Sequence, residues 1–161
     1  MDLSPAFLLE FANRIGAAAQ NVMEVARFGG LETDEVPSPF EVTYEHRTYR
    51  LRRYFPDLVP TTKRQRLARP PVVLVPPMML SADVYDVAPA ISAVAHLAAA
   101  GIDPWVVDFG APENEEGGLA RTLTDHVLAV SDAVDRVREQ TGRDVHLGGY
   151  SQGGMFCYQA A

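Results

Sequence analysis

The chain has 161 residues, of which 47% are hydrophobic and 22% charged, so it is long enough to bury one substantial core. Its formal net charge of -7 argues against nucleic acid as the main partner, because a phosphate backbone would repel it overall. A single cysteine, Cys157, excludes an internal disulfide and is typical of a reducing compartment. The start of the chain lacks a signal-peptide pattern, and no apolar stretch approaches the roughly 18 residues of a membrane span, so we expect a cytoplasmic protein.

The first predicted element is an amphipathic helix. Between Ser4 and Phe28, apolar residues recur at spacings of three and four, Ser4 fits the N-cap position, and Gly29-Gly30 would end the helix. We therefore predict an N-terminal helical segment at residues 1–30. Its apolar face is expected to dock on protein rather than on a membrane, because its polar face carries charges of both signs.

A β-hairpin and a basic segment follow this helix. Residues 40–46 and 48–54 are rich in Thr, Tyr and Val, which predicts two strands of a hairpin. Eight of the fourteen basic residues lie between Arg47 and Arg69. We interpret this cluster as a solvated loop rather than a patch for phosphate or anionic lipid, because neither interleaved aromatic residues nor a helical period accompanies it.

Residues 70–161 alternate between predicted strands and helices. Apolar runs at 72–75, 105–109 and 145–147 indicate buried strands. Helical segments at 90–100 and 124–140 are closed by Gly101 and Gly142, and four valines of the second segment are expected to face inward: Val127, Val130, Val134 and Val137. This alternation predicts an α/β fold, with a mostly parallel sheet that carries helices on both faces.

The most specific motif is Gly149-Tyr150-Ser151-Gln152-Gly153, which follows the third of these strands and precedes a helix predicted to begin at Gln152. A sharp turn from strand to helix leaves room only for glycine at both flanking positions and exposes the serine hydroxyl. The alternative is a plain tight turn that cradles a phosphate at a helix start. No lysine stands where a Walker-type loop needs one, and the glycine spacing is not that of a dinucleotide fingerprint. The motif therefore predicts a nucleophile, Ser151.

A nucleophilic serine needs a base for its proton and amide donors for the oxyanion that forms during acyl transfer. We predict that the backbone N–H groups of Gln152 and Met78 are these donors. Gln152 follows the nucleophile, and Met78 is the first residue after Pro76-Pro77 that has an N–H. No cofactor and no metal ion are predicted.

The other candidate groups do not supply the base. The four histidines lie on the predicted hairpin, helices and third strand rather than on a late loop, so surface or core roles are expected for His46, His96, His126 and His146. Asp108 ends a strand at the same edge of the sheet and is interpreted as a turn or supporting group rather than a triad acid. Cys157 is interpreted as a small core residue rather than a reactive thiol.

Three segments together resemble the polyhydroxyalkanoate synthase branch of the α/β-hydrolase superfamily: residues 73–77, 101–110 and 147–154. The resemblance implies that residues 37–161 are the N-terminal part of an α/β-hydrolase domain and end in the nucleophile helix. In that family a cysteine usually stands at the position of Ser151. The family's triad aspartate and histidine have no counterpart here, so we expect a truncated chain that is inactive and, with an open strand edge, unstable or prone to aggregate.

The sequence, including its leading helix and hairpin, is also similar to the hydrolase-like module that some actinobacterial proteins carry ahead of an AMP-forming acyl-CoA synthetase domain. This resemblance implies acyl or hydroxyacyl thioesters as substrates and a fused synthetase as a partner. Two functions stay open. One is a serine-nucleophile hydrolase or acyltransferase acting on thioesters or esters; the other is a non-catalytic acyl-binding or interaction module whose serine motif is a structural relic.

Overall fold

The computed structural model describes Gly16, residues 37–58 and residues 69–161. The predicted N-terminal helix therefore lies outside the described residues except at Gly16, and so do residues 59–68 of the basic segment. Residues 37–58 and 69–161 form five strands and three α-helices: β1 Phe40–His46, β2 Tyr49–Tyr54, β3 Pro71–Val75, α1 Ala93–Ala99, β4 Asp103–Asp108, α2 Leu123–Thr141, β5 His146–Gly149 and α3 Gln152–Ala160. None of these helices is long and apolar enough to cross a membrane.

The five strands form one sheet in the order β1-β2-β4-β3-β5. The pairs β1·β2 and β2·β4 are antiparallel, whereas β3·β4 and β3·β5 are parallel. The predicted α/β class and the predicted hairpin are confirmed, but the expectation of a mostly parallel sheet is wrong, because the sheet is mixed. The hairpin joins the sheet since Leu51 and Tyr54 of β2 are fully buried and extend the core past β4.

Helices cover both faces of the sheet, as the sequence predicts. On one face, Val73 and Val75 of β3 pack in a core with residues of α2 and α3, including Val130 and Phe156. On the other face, alternate strand residues such as Leu74 form a second core with α1 and with the short 3₁₀ turn at Ala82–Tyr85. This alternation of buried residues along β3 is what a strand covered on both sides requires.

The helix predicted at 124–140 is α2, and its ends follow capping rules. Thr122 forms a capping box with Asp125, and Gly142 ends the helix in the left-handed conformation with φ 65°. Val130 and Val137 are fully buried, whereas the other two valines of the predicted face are half-buried. The predicted inward face is therefore confirmed for Val130 and Val137 only, and the buried side of α2 is completed by His126, Ala129 and Ala133.

The helix predicted at 90–100 begins later than expected. The side chain of Ser92 accepts a hydrogen bond from the Ala95 N–H and caps α1, so residues Pro89–Ile91 form a separate 3₁₀ turn. Ser92 is fully buried, and its hydroxyl also donates to the carboxylate of Asp86. The serine that looks like an ordinary helical residue in the sequence is a helix start.

The parallel strands bring three loops to one edge of the sheet. The last aligned pairs are Val75 with Gly149 and Leu74 with Val106. The chain therefore leaves β3, β4 and β5 at the same edge, where ligands bind in open α/β sheets.

Candidate active site

Ser151 joins β5 to α3 in a strained backbone conformation. Its φ is 53° and its ψ is -119°, and within the described residues only Phe55 shares a positive φ among residues other than glycine. Such a conformation is unfavourable for a residue with a Cβ and persists only where the surroundings enforce it. The sharp turn leaves the Ser151 side chain exposed at the carboxyl edge of the sheet.

Backbone packing around the turn enforces glycine on both sides of Ser151. A Cβ added at Gly149 would collide with the backbone of Gly153 and Gly154, and one added at Gly153 would collide with the carbonyl oxygen of Val75. At Gly154 the nearest atom to an added Cβ is 3.3 Å away, so that position has more room. The turn thus requires glycine at positions 149 and 153, each two residues from Ser151.

Two backbone N–H groups at this edge are candidates for an oxyanion hole. Gln152 is the first residue of α3, and Met78 lies in a turn closed by a 3.1 Å hydrogen bond from the Leu80 N–H to the Pro77 carbonyl. Neither the Gln152 N–H nor the Met78 N–H has an acceptor among the described residues. Both follow neighbouring parallel strands, and Gln152 lies at the positive end of α3. Their role as oxyanion donors stays a prediction.

Tyr85 contacts the turn although the sequence does not single it out. Its hydroxyl donates a 2.7 Å hydrogen bond to the Val75 carbonyl and accepts a 3.0 Å bond from the Tyr150 N–H. Tyr85 and Tyr150 are 65 positions apart, and no local pattern relates them. Only the folded chain reveals this contact.

Asp108, at the end of β4, is buried and fully engaged. Its Oδ1 accepts a 2.9 Å bond from the Gly110 N–H, and its Oδ2 lies 2.7 Å from Arg52 and 3.2 Å from Arg50. Burial alone would raise the pKa of Asp108, but the Gly110 N–H and the two guanidinium groups outweigh it, so the pKa lies below its usual value. This carboxylate supports the loop after β4, in keeping with its sequence interpretation.

The basic residues of β2 correct the interpretation of the basic segment as a solvated loop. Arg50 also pairs with Glu115 at 2.9 Å, and Arg52 pairs with Asp83 at 2.8 Å. Arg53 lies 3.4 Å from Asp103. These side chains tie the hairpin to the rest of the sheet, because each pairs with a carboxylate on or after another strand.

None of the four histidines has a hydrogen bond to Ser151 among the described residues. The Nδ1 atoms of His46, His96 and His126 each form a hydrogen bond with a group two or four residues away. His146 lies at the start of β5, at the end of the strand opposite Ser151. Among the described residues, the Ser151 hydroxyl has no hydrogen-bond partner.

Cys157 lies on the buried side of α3. It is 8% exposed, and burial raises the pKa of its thiol to about 11. The thiol is therefore neutral at pH 7, as expected for a small core residue.

The chain is similar in sequence to part of one curated protein. Over 147 residues, which are 90% of the chain, it is 29% identical to the poly(3-hydroxyalkanoate) polymerase subunit PhaC of Haloferax mediterranei. The chain spans 27% of the length of that relative. No family model matches the chain. The similarity is distant, and it agrees with the resemblance that the sequence motifs carry.

Two clefts differ in their relation to the serine turn. The larger, of about 890 Å³, lies beyond the end of α2 and the start of β5, at the edge of the sheet opposite Ser151, and charged groups line it. A cleft of about 220 Å³ lies on the Ser151 edge, between the loop after β3, with Met79 and Leu80, and the loop after β4. No group of three or more metal-ligating side chains occurs in residues 37–58 and 69–161. The smaller cleft thus shares its edge of the sheet with Ser151, but neither Ser151 nor the N–H groups of Gln152 and Met78 line it.

Proposed function

We propose that this chain carries the nucleophile of a serine-dependent acyl-transfer site, in a hydrolase or an acyltransferase. The strained backbone of Ser151 carries this proposal. A positive φ at a residue with a Cβ costs about 1–3 kcal/mol, and glycine at position 151 would remove that cost. A turn that needed no side chain would gain stability from glycine, so the presence of serine favours a use for its hydroxyl.

The chemistry follows from the groups at this edge. Ser151 Oγ attacks the carbonyl carbon of an ester or thioester while a general base accepts its proton and later returns it to the leaving group; no described residue supplies this base, so the proposal assigns it to the longer protein that the resemblance implies. The negative charge that develops on the carbonyl oxygen is stabilised by the N–H groups of Met78 and Gln152. Collapse of this intermediate expels the alcohol or thiol and leaves an acyl-serine ester, which water or a hydroxyl acceptor then resolves. Transfer to a hydroxyl acceptor would lengthen an ester chain, and transfer to water would be hydrolysis.

Acyl and hydroxyacyl thioesters resembling acyl-CoA are the proposed substrate class. The similarity to a poly(3-hydroxyalkanoate) polymerase subunit supports a polyhydroxyalkanoate synthase-like reaction. Exposed apolar side chains at the same edge, Met79, Leu80 and Tyr150, suit the hydrocarbon part of an acyl group. We include a fused AMP-forming acyl-CoA synthetase in this proposal, because such a synthetase would produce the thioester. A cytoplasmic location is also part of the proposal.

Covalent labelling with a fluorophosphonate, followed by intact-mass measurement, tests the proposal. The test uses the longer protein that the resemblance implies, because the described residues supply no base for Ser151; we expect it to gain one phosphonyl group and its Ser151→Ala variant to gain none. Ser131→Ala is the matched control, because Ser131 is a half-buried serine in the middle of α2, away from the turn at Ser151, and its loss should leave labelling unchanged.

Labelling retained in Ser151→Ala, or absent from a folded wild-type protein, would contradict the nucleophile and favour a non-catalytic acyl-binding module. Circular dichroism of each variant establishes that the comparison is made on folded protein.

A further inference from the structure

The Tyr85 hydroxyl lies where the β3·β5 ladder ends. The last aligned pair is Val75 with Gly149, and the next N–H along the chain belongs to Tyr150. That N–H lies 3.3 Å from the Val75 carbonyl oxygen and 3.0 Å from the Tyr85 hydroxyl, which itself donates to the same carbonyl at 2.7 Å. The hydroxyl therefore bridges the two strands immediately before Ser151.

The Val75 carbonyl contacts the turn at residues 149–153, here called the serine turn, on both sides of Ser151. It accepts from Tyr150 before the nucleophile, and it is also the atom that a Cβ at Gly153 would strike after the nucleophile. A change in the position of this carbonyl would move both sides of the turn. The 2.7 Å bond from the Tyr85 hydroxyl is the second hydrogen bond to this carbonyl, and it comes from outside the turn.

The ring of Tyr85 is suited to hold its hydroxyl in place. It is partly buried against the core on the α1 face of the sheet. Burial raises the pKa of Tyr85 to about 12, although the bond from the Tyr150 N–H opposes this shift. The hydroxyl is therefore protonated at neutral pH, so it can donate to Val75 and accept from Tyr150 at the same time.

We propose that Tyr85 is a positioning residue for the Ser151 nucleophile, because its hydroxyl fixes the Tyr150 peptide and with it the strained turn. This inference rests on the proposed function of Ser151. Without the hydroxyl, the Tyr150 N–H keeps only its longer bond to Val75, and Ser151 can relax away from its positive φ. A serine that relaxes is misaligned with the oxyanion donors, and small displacements of this kind slow chemistry strongly.

Tyr85→Phe isolates the hydroxyl because the ring and its packing remain. Tyr49→Phe is the matched control. Tyr49 is also a buried tyrosine of the sheet region, and Tyr49→Phe loses one hydrogen bond to a charged group, the 2.8 Å bond from its hydroxyl to Asp132, where Tyr85→Phe loses two bonds to backbone groups. Both variants should lower the urea midpoint, but only Tyr85→Phe touches the serine turn.

The test combines the rate of fluorophosphonate labelling with amide hydrogen exchange at Tyr150. For Tyr85→Phe we expect labelling to slow by roughly tenfold at saturating probe, with the half-saturating probe concentration unchanged, and the Tyr150 amide to exchange about tenfold faster. For Tyr49→Phe we expect both quantities to match the wild type.

Unchanged exchange at Tyr150, unchanged labelling, or equal slowing in both variants would each overturn the inference. A folded wild-type protein that is not labelled contradicts the proposed function instead. In that case the exchange comparison still decides whether Tyr85 fixes the turn.

Discussion

Two polar side chains stand where β4 and β5 end at the same edge of the sheet, and they are held in opposite ways. β4 is buried throughout, whereas β5 is exposed or half-buried, so the buried strand predicted at 145–147 is wrong in its burial. Asp108, the last residue of β4, is held through its side chain, which accepts from the Gly110 N–H and from two arginines. Ser151 after β5 is held through its backbone, and its hydroxyl has no partner among the described residues.

The difference indicates which group is available for chemistry. A carboxylate whose oxygens already accept hydrogen bonds contributes to stability. A hydroxyl that must react has to be oriented by its backbone, because a hydrogen-bond partner of the hydroxyl would compete with the substrate. Close packing at Gly149 and Gly153, the latter against the Val75 carbonyl, orients Ser151, and it requires the strained backbone conformation of that residue. Residues 149–153 form the backbone-held turn, and the loop after Asp108 is the charge-held loop. The two should therefore respond differently to substitution.

The largest effect is expected from Gly153→Ala, which attacks the backbone-held turn directly. The added methyl group meets the Val75 carbonyl, a backbone group of an interior strand that can shift only at a cost. We expect a loss of about 3 kcal/mol in the free energy of unfolding, measured by urea denaturation, together with loss of Ser151 labelling.

Gly154→Ala is the control for this substitution. Its added methyl group would lie 3.3 Å from the nearest atom, and alanine favours the helix by about 1 kcal/mol over glycine. We expect a change smaller than about 1 kcal/mol. Equal destabilisation by the two alanines would mean that the turn does not depend on close approach at Gly153.

Features that depend on neighbouring residues are predictable from the sequence, and features that join distant residues are not. The strands, α2 and the glycine-flanked turn follow from local periodicity and from glycines such as Gly142. The pairing of β2 with β4 brings Arg50 to Asp108 across 58 positions, and the bridge from Tyr85 spans 65. Even the start of α1 was misplaced, because the cap at Ser92 looks like any helical serine.

An intermediate effect is expected from Asp108→Asn, which tests the charge-held loop. The amide keeps the shape and an acceptor for the Gly110 N–H, but it removes the charge that two arginines share. Arg50 and Arg52 each keep another carboxylate, so we expect a loss of about 2 kcal/mol at pH 7 and unchanged Ser151 labelling. Asp83→Asn, whose exposed carboxylate is the other partner of Arg52, should cost less than about 1 kcal/mol.

The pH dependence of this loss checks its cause. The pKa of Asp108 in the folded protein lies below its usual value of 3.8. Its charge therefore contributes stability that is complete above the unfolded pKa and is lost as pH falls through the folded pKa. Urea midpoints of the wild type and Asp108→Asn should therefore begin to converge as the pH falls below about 4, the unfolded pKa, and should coincide only below the folded pKa. A difference that does not shrink at all between pH 5 and pH 2 would show that shape, and not charge, holds the loop.

The smallest effect has the opposite sign and separates strain from chemistry at one position. Ser151→Gly removes the Cβ that makes the positive φ unfavourable, a gain of about 1–3 kcal/mol, and it adds flexibility to the unfolded chain at a cost of about 0.5–1 kcal/mol. We expect a net stabilisation of about 1 kcal/mol, together with complete loss of labelling. Ser151→Ala loses labelling equally but keeps the Cβ and the strain, so its urea midpoint should stay near that of the wild type. Equal midpoints for the glycine and alanine variants would mean that the turn stores no strain, and the main support for a reactive Ser151 would be lost.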